Sequence, residues 1–310
     1  MFTDTQYVVQ TGLGYKLYGY QWIVEKPLAI IQIIHGLAEH SGRYSHLAKH
    51  LNRAGYTVIA FDHRGHGLTA ENNQELKGFF SEECGWELIV NDIQVINKTI
   101  QKKFPDKKIY ILGHSMGSFL AQNFMIDFRD SLDGLILTGS NWEPRWYLVS
   151  LSFLIAFEKW RNGTRNSSSI IDHIYNLTLN FTYRKDHKDY GWISSDLAEV
   201  YKYSQDKNCG FSCTTSLWED LFRGMSYIFS RQSQEKVRED IPIYILGGKE
   251  DSLSHFGKGL IKLYESFKKI GVKDLNFKLY DGMRHEIFHE KKQQEVMDDL
   301  VLWLNSREKS

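Results

Sequence analysis

The stretch Ile109-Tyr110-Ile111-Leu112-Gly113-His114-Ser115-Met116-Gly117 decides how the rest of this 310-residue chain reads. Ile109–Leu112 is a short apolar run of strand type, and Met116–Phe128 is a helical pattern. The turn between them carries a serine with a glycine two residues away on each side. This is G-x-S-x-G in the strand-turn-helix setting that the pattern requires. The glycines permit a tight turn that lifts the Ser115 hydroxyl clear of the sheet. The start of the helix adds free N–H groups and positive dipole where an oxyanion would form.

Similar runs lie on either side: Leu28–Ile34, Thr57–Phe61, Gly134–Thr138, Pro242–Leu246 and Asn276–Tyr280. None alternates cleanly, as expected of strands buried on both faces. Helical patterns at Tyr44–Ala54, Cys84–Lys103, His255–Ile270 and Glu290–Asn305 separate them. Strand alternating with helix predicts an α/β fold, a mostly parallel central sheet with helices on both faces. Tyr7–Gln10 and Tyr15–Ile23, broken by Gly12 and Gly14, predict an antiparallel hairpin ahead of it. No internal repeat is apparent.

The alternation stops between Ser140 and Met225, a window of 86 residues with 16 aromatics. It reads as an inserted, mostly helical cap (140–225) on a core made of residues 1–139 and 226–310. Its segment Trp146–Phe157 is apolar on nearly every face of a helix, which calls for burial or a lipid surface. At 12 residues it is too short to cross a bilayer. A lid over an apolar pocket is the expected role, with Trp146 and Trp160 at a membrane surface.

Composition narrows the class. Lys plus Arg number 38 and so do Asp plus Glu, which argues against a nucleic-acid scaffold. Hydrophobic residues at 42% and charged residues at 25% exclude a disordered chain. Cys84, Cys209 and Cys213 cannot form a disulfide framework, and Cys209/Cys213 lack the second ligand pair of a zinc site. The opening residues Met1–Gln6 show neither a basic nor an apolar leader region, so a cytoplasmic protein is expected, peripheral to membranes where the cap touches them. The sequons at Asn97, Asn162, Asn166, Asn176 and Asn180 are then chance matches.

A serine hydroxyl is a weak nucleophile and needs a base, with a third group to orient that base. In this arrangement the acid and the histidine follow the serine in chain order. Asp251 stands just past Pro242–Leu246 and His285 just past Asn276–Tyr280, each at a strand end. Glu250 is the rival acid and His289 the rival base. An oxyanion hole needs one N–H from the residue after the serine, Met116, and one from the loop after an earlier strand. The loop His35-Gly36-Leu37-Ala38-Glu39-His40 follows Leu28–Ile34 and offers Leu37. His46 and His50 share a helix face at i,i+4, but no Glu stands between them in a metal-binding pattern, and their leucine neighbours explain the helix. His63 and His66 read as structural. No phosphate-loop or dinucleotide motif is present.

The run His35-Gly36-Leu37-Ala38-Glu39-His40-Ser41-Gly42-Arg43-Tyr44 closely resembles the oxyanion loop of the monoacylglycerol lipase and lysophospholipase group of α/β-hydrolases, itself related to the serine aminopeptidases of the S33 type. Three further blocks match in the same order: Asp62-His63-Arg64-Gly65-His66-Gly67, Gly113–Gly117, and His285-Glu286-Ile287-Phe288-His289-Glu290. Departures are small: Ser118 where many members have glycine or alanine, and Leu68-Thr69 where a serine usually follows. The resemblance implies an α/β-hydrolase fold and a serine esterase acting on a small lipid ester, with Ser115, Asp251 and His285 as its triad. It also implies an acyl chain under the cap; the apolar segment described above puts Trp146, Leu151 and Leu154 among the expected substrate contacts, and acyl transfer through a serine needs no cofactor or metal. Glu39 and Arg43 are expected to pair and brace the oxyanion loop; in the resembling family this pair lies near the glycerol head group. Two other readings remain open. An aminopeptidase would need cap carboxylates to hold an amine, and Glu199, Asp206, Glu219 and Asp220 are candidates. A catalytically dead binding module would have lost part of the triad or the oxyanion loop.

Overall fold

The computed structural model describes residues 5–12 and 14–308. Its strands are β1 (Thr5–Gln10), β2 (Lys16–Trp22), β3 (Ile30–Ile34), β4 (Thr57–Phe61), β5 (Ile109–His114), β6 (Gly134–Thr138), β7 (Ile243–Gly248) and β8 (Leu275–Tyr280). They form one sheet in the order β1-β2-β4-β3-β5-β6-β7-β8. The β1–β2 and β2–β4 pairs are antiparallel and all others parallel. The N-terminal hairpin and every expected strand are present, with ends shifted by a residue or two. The helices are α1 (Ser45–Arg53), α2 (Gly67–Asn73), α3 (Gly85–Lys103), α4 (Met116–Asp127), α5 (Arg145–Asn162), α6 (Ser169–Asn180), α7 (Leu197–Gln205), α8 (Thr215–Ile228), α9 (Arg231–Gln234), α10 (Lys258–Ile270) and α11 (Gln293–Glu308).

Neighbouring strand residues point to opposite faces, so each strand feeds two cores. Ile111, Leu135, Leu137, Ile243 and Ile245 pack with α3, α4, α8 and α10. Tyr110, Leu112, Ile136, Tyr244 and Leu246 pack with α1 and α11 on the other side. Continuous apolar runs are what a sheet covered on both faces requires.

Helices α5 to α8 lie between β6 and β7, in the window where the alternation fails. The expected border at 225/226 falls inside α8, which packs on α3 and α4 of the sheet layer as well as on α5. A Cβ on Gly224 would stand 2.1 Å from the Trp86 ring, so α8 fits closely against α3.

Parallel order brings four loops to one edge of the sheet. Those after β3 and β5 are neighbours, as are those after β7 and β8. The turn after β5 is strained: Ser115 has φ 54° and ψ −123°, a region sparsely populated by residues with a Cβ and costing about 1–3 kcal/mol. The first turn of α4 lies against the end of β3, where a Cβ on Gly117 would come 2.1 Å from the Ile34 carbonyl oxygen. Only glycine allows that approach. Gly117→Ala is therefore expected to destabilise the chain by about 1–3 kcal/mol through overpacking, read as a lower denaturation midpoint. Gly12→Ala, with nothing within 4 Å of the added carbon, is the control and should leave the midpoint in place. Equal midpoints for both variants would contradict the packing.

Candidate active site

Ser115 is buried at the N-terminus of α4, and its peptide N–H donates to the Thr138 carbonyl at 3.0 Å. Asp251 and His285 stand just beyond β7 and β8. His285 is 2% exposed, and its Nδ1 donates to Asp251 Oδ1 at 3.2 Å. The Leu253 N–H also donates to that oxygen, at 2.9 Å, fixing the carboxylate. The contact sets the tautomer: Nδ1 carries the proton, and Nε2 is a buried acceptor with no partner among the described residues. Ser115 and His285 line the same cavity. Burial alone would lower the His285 pKa. The charge and hydrogen bond of Asp251 outweigh it, helped by Glu286 and Glu39, so the pKa lies above the usual value.

The loop after β3 is held from both ends. The Gly36 N–H donates to Glu39 Oε1 at 2.6 Å and the Ala38 N–H to His66 Nε2 at 3.3 Å. The amide between them, Leu37, has no acceptor among the described residues; nor has that of Met116. Both residues border the cavity at Ser115. Glu39 is gripped in turn by Arg43, whose Nη1 is 2.7 Å from Glu39 Oε2. The same guanidinium forms a fork with Glu286, at 2.7 and 2.6 Å. Burial opposes the charge on Arg43, but the two carboxylates raise its pKa well above normal. Burial raises the Glu39 carboxyl, whereas Arg43 holds Glu286 below its usual value despite burial.

Beneath this loop lie buried neutral imidazoles. His35 accepts from the His63 N–H at 3.0 Å and donates to the Gly36 carbonyl at 2.8 Å. The His35 and His63 ring centroids are 4.1 Å apart. Burial lowers the pKa of His35 well below normal, of His63 to about 3 and of His66 to about 4. His114, beside His285, is lowered to about 3, first by burial and then by the electrostatic effect of His285.

Two chambers meet at Ser115, of about 900 and about 1010 Å³ counted out to their open mouths. The larger is apolar, walled by Met116, Phe119, Leu151, Leu154, Ile171 and Met225 from α4, α5, α6 and α8. The other is more polar than the first and includes Glu39, Asp172, Asp189, Trp192 and Glu286.

Against this geometry, the family model described as serine aminopeptidase, S33 matches residues 25–292. The chain belongs to that family. A solved carboxyl esterase from Bacillus coagulans, in complex with glycerol, is 26% identical with a TM-score of 0.88, covering 99% of both chains. Monoglyceride lipase of Rattus norvegicus is 25% identical over 312 residues, 99% of this chain and 92% of that one. An abhydrolase domain-containing protein of Dictyostelium discoideum is 26% identical over 287 residues, 91% of this chain but 27% of its own length. The chain is a hydrolase with the α/β-hydrolase fold.

The residues expected from sequence separate in space. Glu250 is exposed, and His289 faces the Arg43 carbonyl, 3.2 Å from its Nε2, rather than Ser115. Leu151 and Leu154 line the apolar chamber, but Trp146 is 73% exposed and lines neither. A helix apolar all round gives no hint of which side turns inward. Arg43 sits behind Glu39, outside both chambers, and braces the loop. Of the carboxylates between β6 and β7 suggested for an amine, Glu199 and Asp206 border an outer groove, Glu219 pairs with Lys159 at 2.6 Å, and Asp220 with Arg223 at 2.8 Å. His46 binds the Phe288 carbonyl at 2.6 Å and His50 reaches Asp298 at 3.2 Å. Among the described residues, His40, Asp206 and Cys209 have ligand atoms within 4.8 Å of one another, close enough to hold a metal ion. His40 Nε2 and Asp206 Oδ2 are 2.9 Å apart, a distance that a hydrogen bond explains.

Sequence reasoning missed how the segment before α7 fastens the His285 loop. Arg284 donates to the Gly191 and Ser194 carbonyls at 2.6 and 3.1 Å, and the Glu286 N–H to Ile193 at 2.7 Å. The Trp192 ring lies 4.7 Å from His285. Asp62 was also missed as a brace: it accepts from the Ser41 and Leu68 amides at 2.7 and 2.6 Å.

The buried imidazoles predict an acid response. Their folded pKa values lie below the unfolded value of about 6.5, so below that pH the unfolded chain binds more protons and stability falls with falling pH. His35, His63, His66 and His114 together should take up roughly three to four protons on unfolding near pH 5. Denaturation midpoints should therefore drop steadily from pH 7 to pH 5; a flat profile would show these groups charged in the fold.

Proposed function

We propose that the protein is a serine carboxylic-ester hydrolase acting on lipid esters with a single acyl chain, of the monoacylglycerol or lysophospholipid kind. One observation carries the reading. His285, oriented by Asp251, presents an unpartnered Nε2 to the cavity that Ser115 lines. Family membership and the esterase and monoglyceride lipase relatives support it.

In the mechanism, Ser115 Oγ attacks the ester carbonyl as its proton passes to His285 Nε2. The Leu37 and Met116 N–H groups hold the oxyanion, and Asp251 stabilises the imidazolium. Collapse expels the alcohol, which takes the proton from His285. Water, deprotonated by the same imidazole, then releases the fatty acid from Ser115. These steps need no metal or organic cofactor. The apolar chamber takes the acyl chain and the polar chamber the head group, with residues 140–225 serving as the cap.

The cap also offers a lipid-facing surface. Trp146, Phe153, Phe157 and Trp160 on α5, and Leu177 and Phe181 at and just after the end of α6, are each at least half exposed. An apolar stripe of this size fits interfacial contact. Among the described residues no helix is long and apolar enough to cross a membrane.

Ser115→Ala should lower kcat on a long-chain monoacylglycerol by about 10⁶ with the fold intact. Asp251→Asn should cost roughly 10⁴ and Glu250→Gln little. Near-normal turnover by the Ser115 variant would contradict the nucleophile, and an inactive Glu250 variant would move the acid by one residue. The two faces of α5 should separate. Leu151→Ser with Leu154→Ser should abolish activity on long-chain but not short-chain esters, with little change in melting temperature. Phe153→Ser with Trp160→Ser should instead weaken sedimentation with phospholipid vesicles. Equal loss on all chain lengths with a large fall in melting temperature would make α5 a core helix. Unchanged vesicle binding would remove the membrane face.

A further inference from the structure

The polar chamber has an unusual charge pattern. Its walls contain Glu39, Asp172, Asp189 and Glu286 but no lysine or arginine. Glu39 and Glu286 share Arg43, which stands behind them, so two carboxyl groups face one cation. Among the described residues Asp172 and Asp189 form no ion pair. Asp189 accepts from Asn176 Nδ2 at 3.2 Å, and Asp172 has a hydrogen bond with Ser212. Arg184 and Lys188 lie on the outer side, in a groove that shares the two aspartates. Arg184 lies over the Phe181 ring on that outer side, 4.8 Å from its centroid.

Six large aromatic side chains also line it: Tyr175, Tyr190, Trp192, Tyr203, Phe211 and Trp218. That the chamber takes a ligand does not depend on its carboxylates, because the buried and unpartnered Nε2 of His285 lies in its wall. Aromatic faces attract cations, best when water is excluded, and a quaternary ammonium ion suits such a box because it makes no hydrogen-bond demands. Unpaired carboxylates beside those rings add Coulomb attraction for a cation and repel a head group of net negative charge.

Building on the esterase reading, we infer that the chamber is a cation-selecting subsite: it favours esters whose alcohol carries an amine or quaternary ammonium group, as in acylcholines, and disfavours anionic head groups.

The test compares two laurate esters of equal shape, lauroylcholine and 3,3-dimethylbutyl laurate, in which carbon replaces the ammonium nitrogen. Both present the same acyl chain to the apolar chamber. The wild-type kcat/KM for the choline ester is expected to exceed that for the neutral ester by about tenfold at low salt. Tetramethylammonium should inhibit competitively. Asp172→Asn and Asp189→Asn should each bring the ratio toward one, chiefly by raising KM for the choline ester. Equal specificity constants in the wild-type protein, or a ratio unmoved by both substitutions, would overturn the cation preference alone. Hydrolysis of neither ester would overturn the esterase reading and this inference with it.

Discussion

Arg43 is the group on which the site's geometry hangs. A guanidinium removed from water costs several kcal/mol unless its donors are met, and here Glu39 and Glu286 meet them with contacts of 2.6–2.7 Å. Glu39 belongs to the loop after β3 and Glu286 follows His285. One buried cation therefore sets the distance between the amide that would hold the oxyanion and the imidazole that would move the proton. Its charge is over-balanced by two carboxylates, and the excess helps Asp251 to raise the His285 pKa despite complete burial. Lysine could not replace it, since a point charge cannot form a fork to one carboxylate while holding another.

The rest of the architecture supplies what this bridge needs. The sheet edge delivers four loops side by side. The strained Ser115 backbone persists because β3 and α4 are in contact at Gly117 and leave the turn no other path. Neutral histidines fill the space beneath the loop after β3, donating and accepting in fixed directions where water would otherwise be needed. Between β6 and β7, the backbone carbonyls of residues 191–194 accept from the Arg284 guanidinium and the Glu286 N–H, so this segment and the His285 loop are held together.

Much of this was legible in the sequence because it is local. The strands and helices of the sheet layers follow from apolar runs and periodicity, and the elbow from two glycines around a serine. Asp251 and His285 were legible because both lie just past strands. The Glu39–Arg43 contact spans one helical turn and could be read directly. Its other half could not: Glu286 is 243 residues from Arg43, and no periodicity links them. The short helix α2 was missed because its seven residues carry too few apolar positions to show a period. Trp146 was placed in the pocket because α5 is apolar on every face; only packing against α8 selects Leu151 and Leu154 for the inside. Asp172 and Asp189 gave no signal for a similar reason. Isolated aspartates become chamber walls only once α6 and the loop after it are folded over Ser115.

The central claim is that Ser115 is a nucleophile made reactive by His285 and Asp251. Peptide mass mapping after treatment with a fluorophosphonate reads it directly. The account predicts a single adduct per chain, on the peptide containing Ser115, formed far more slowly when Asp251 is replaced by Asn. An unmodified Ser115 peptide, an adduct on another residue, or labelling indifferent to Asp251 would contradict it.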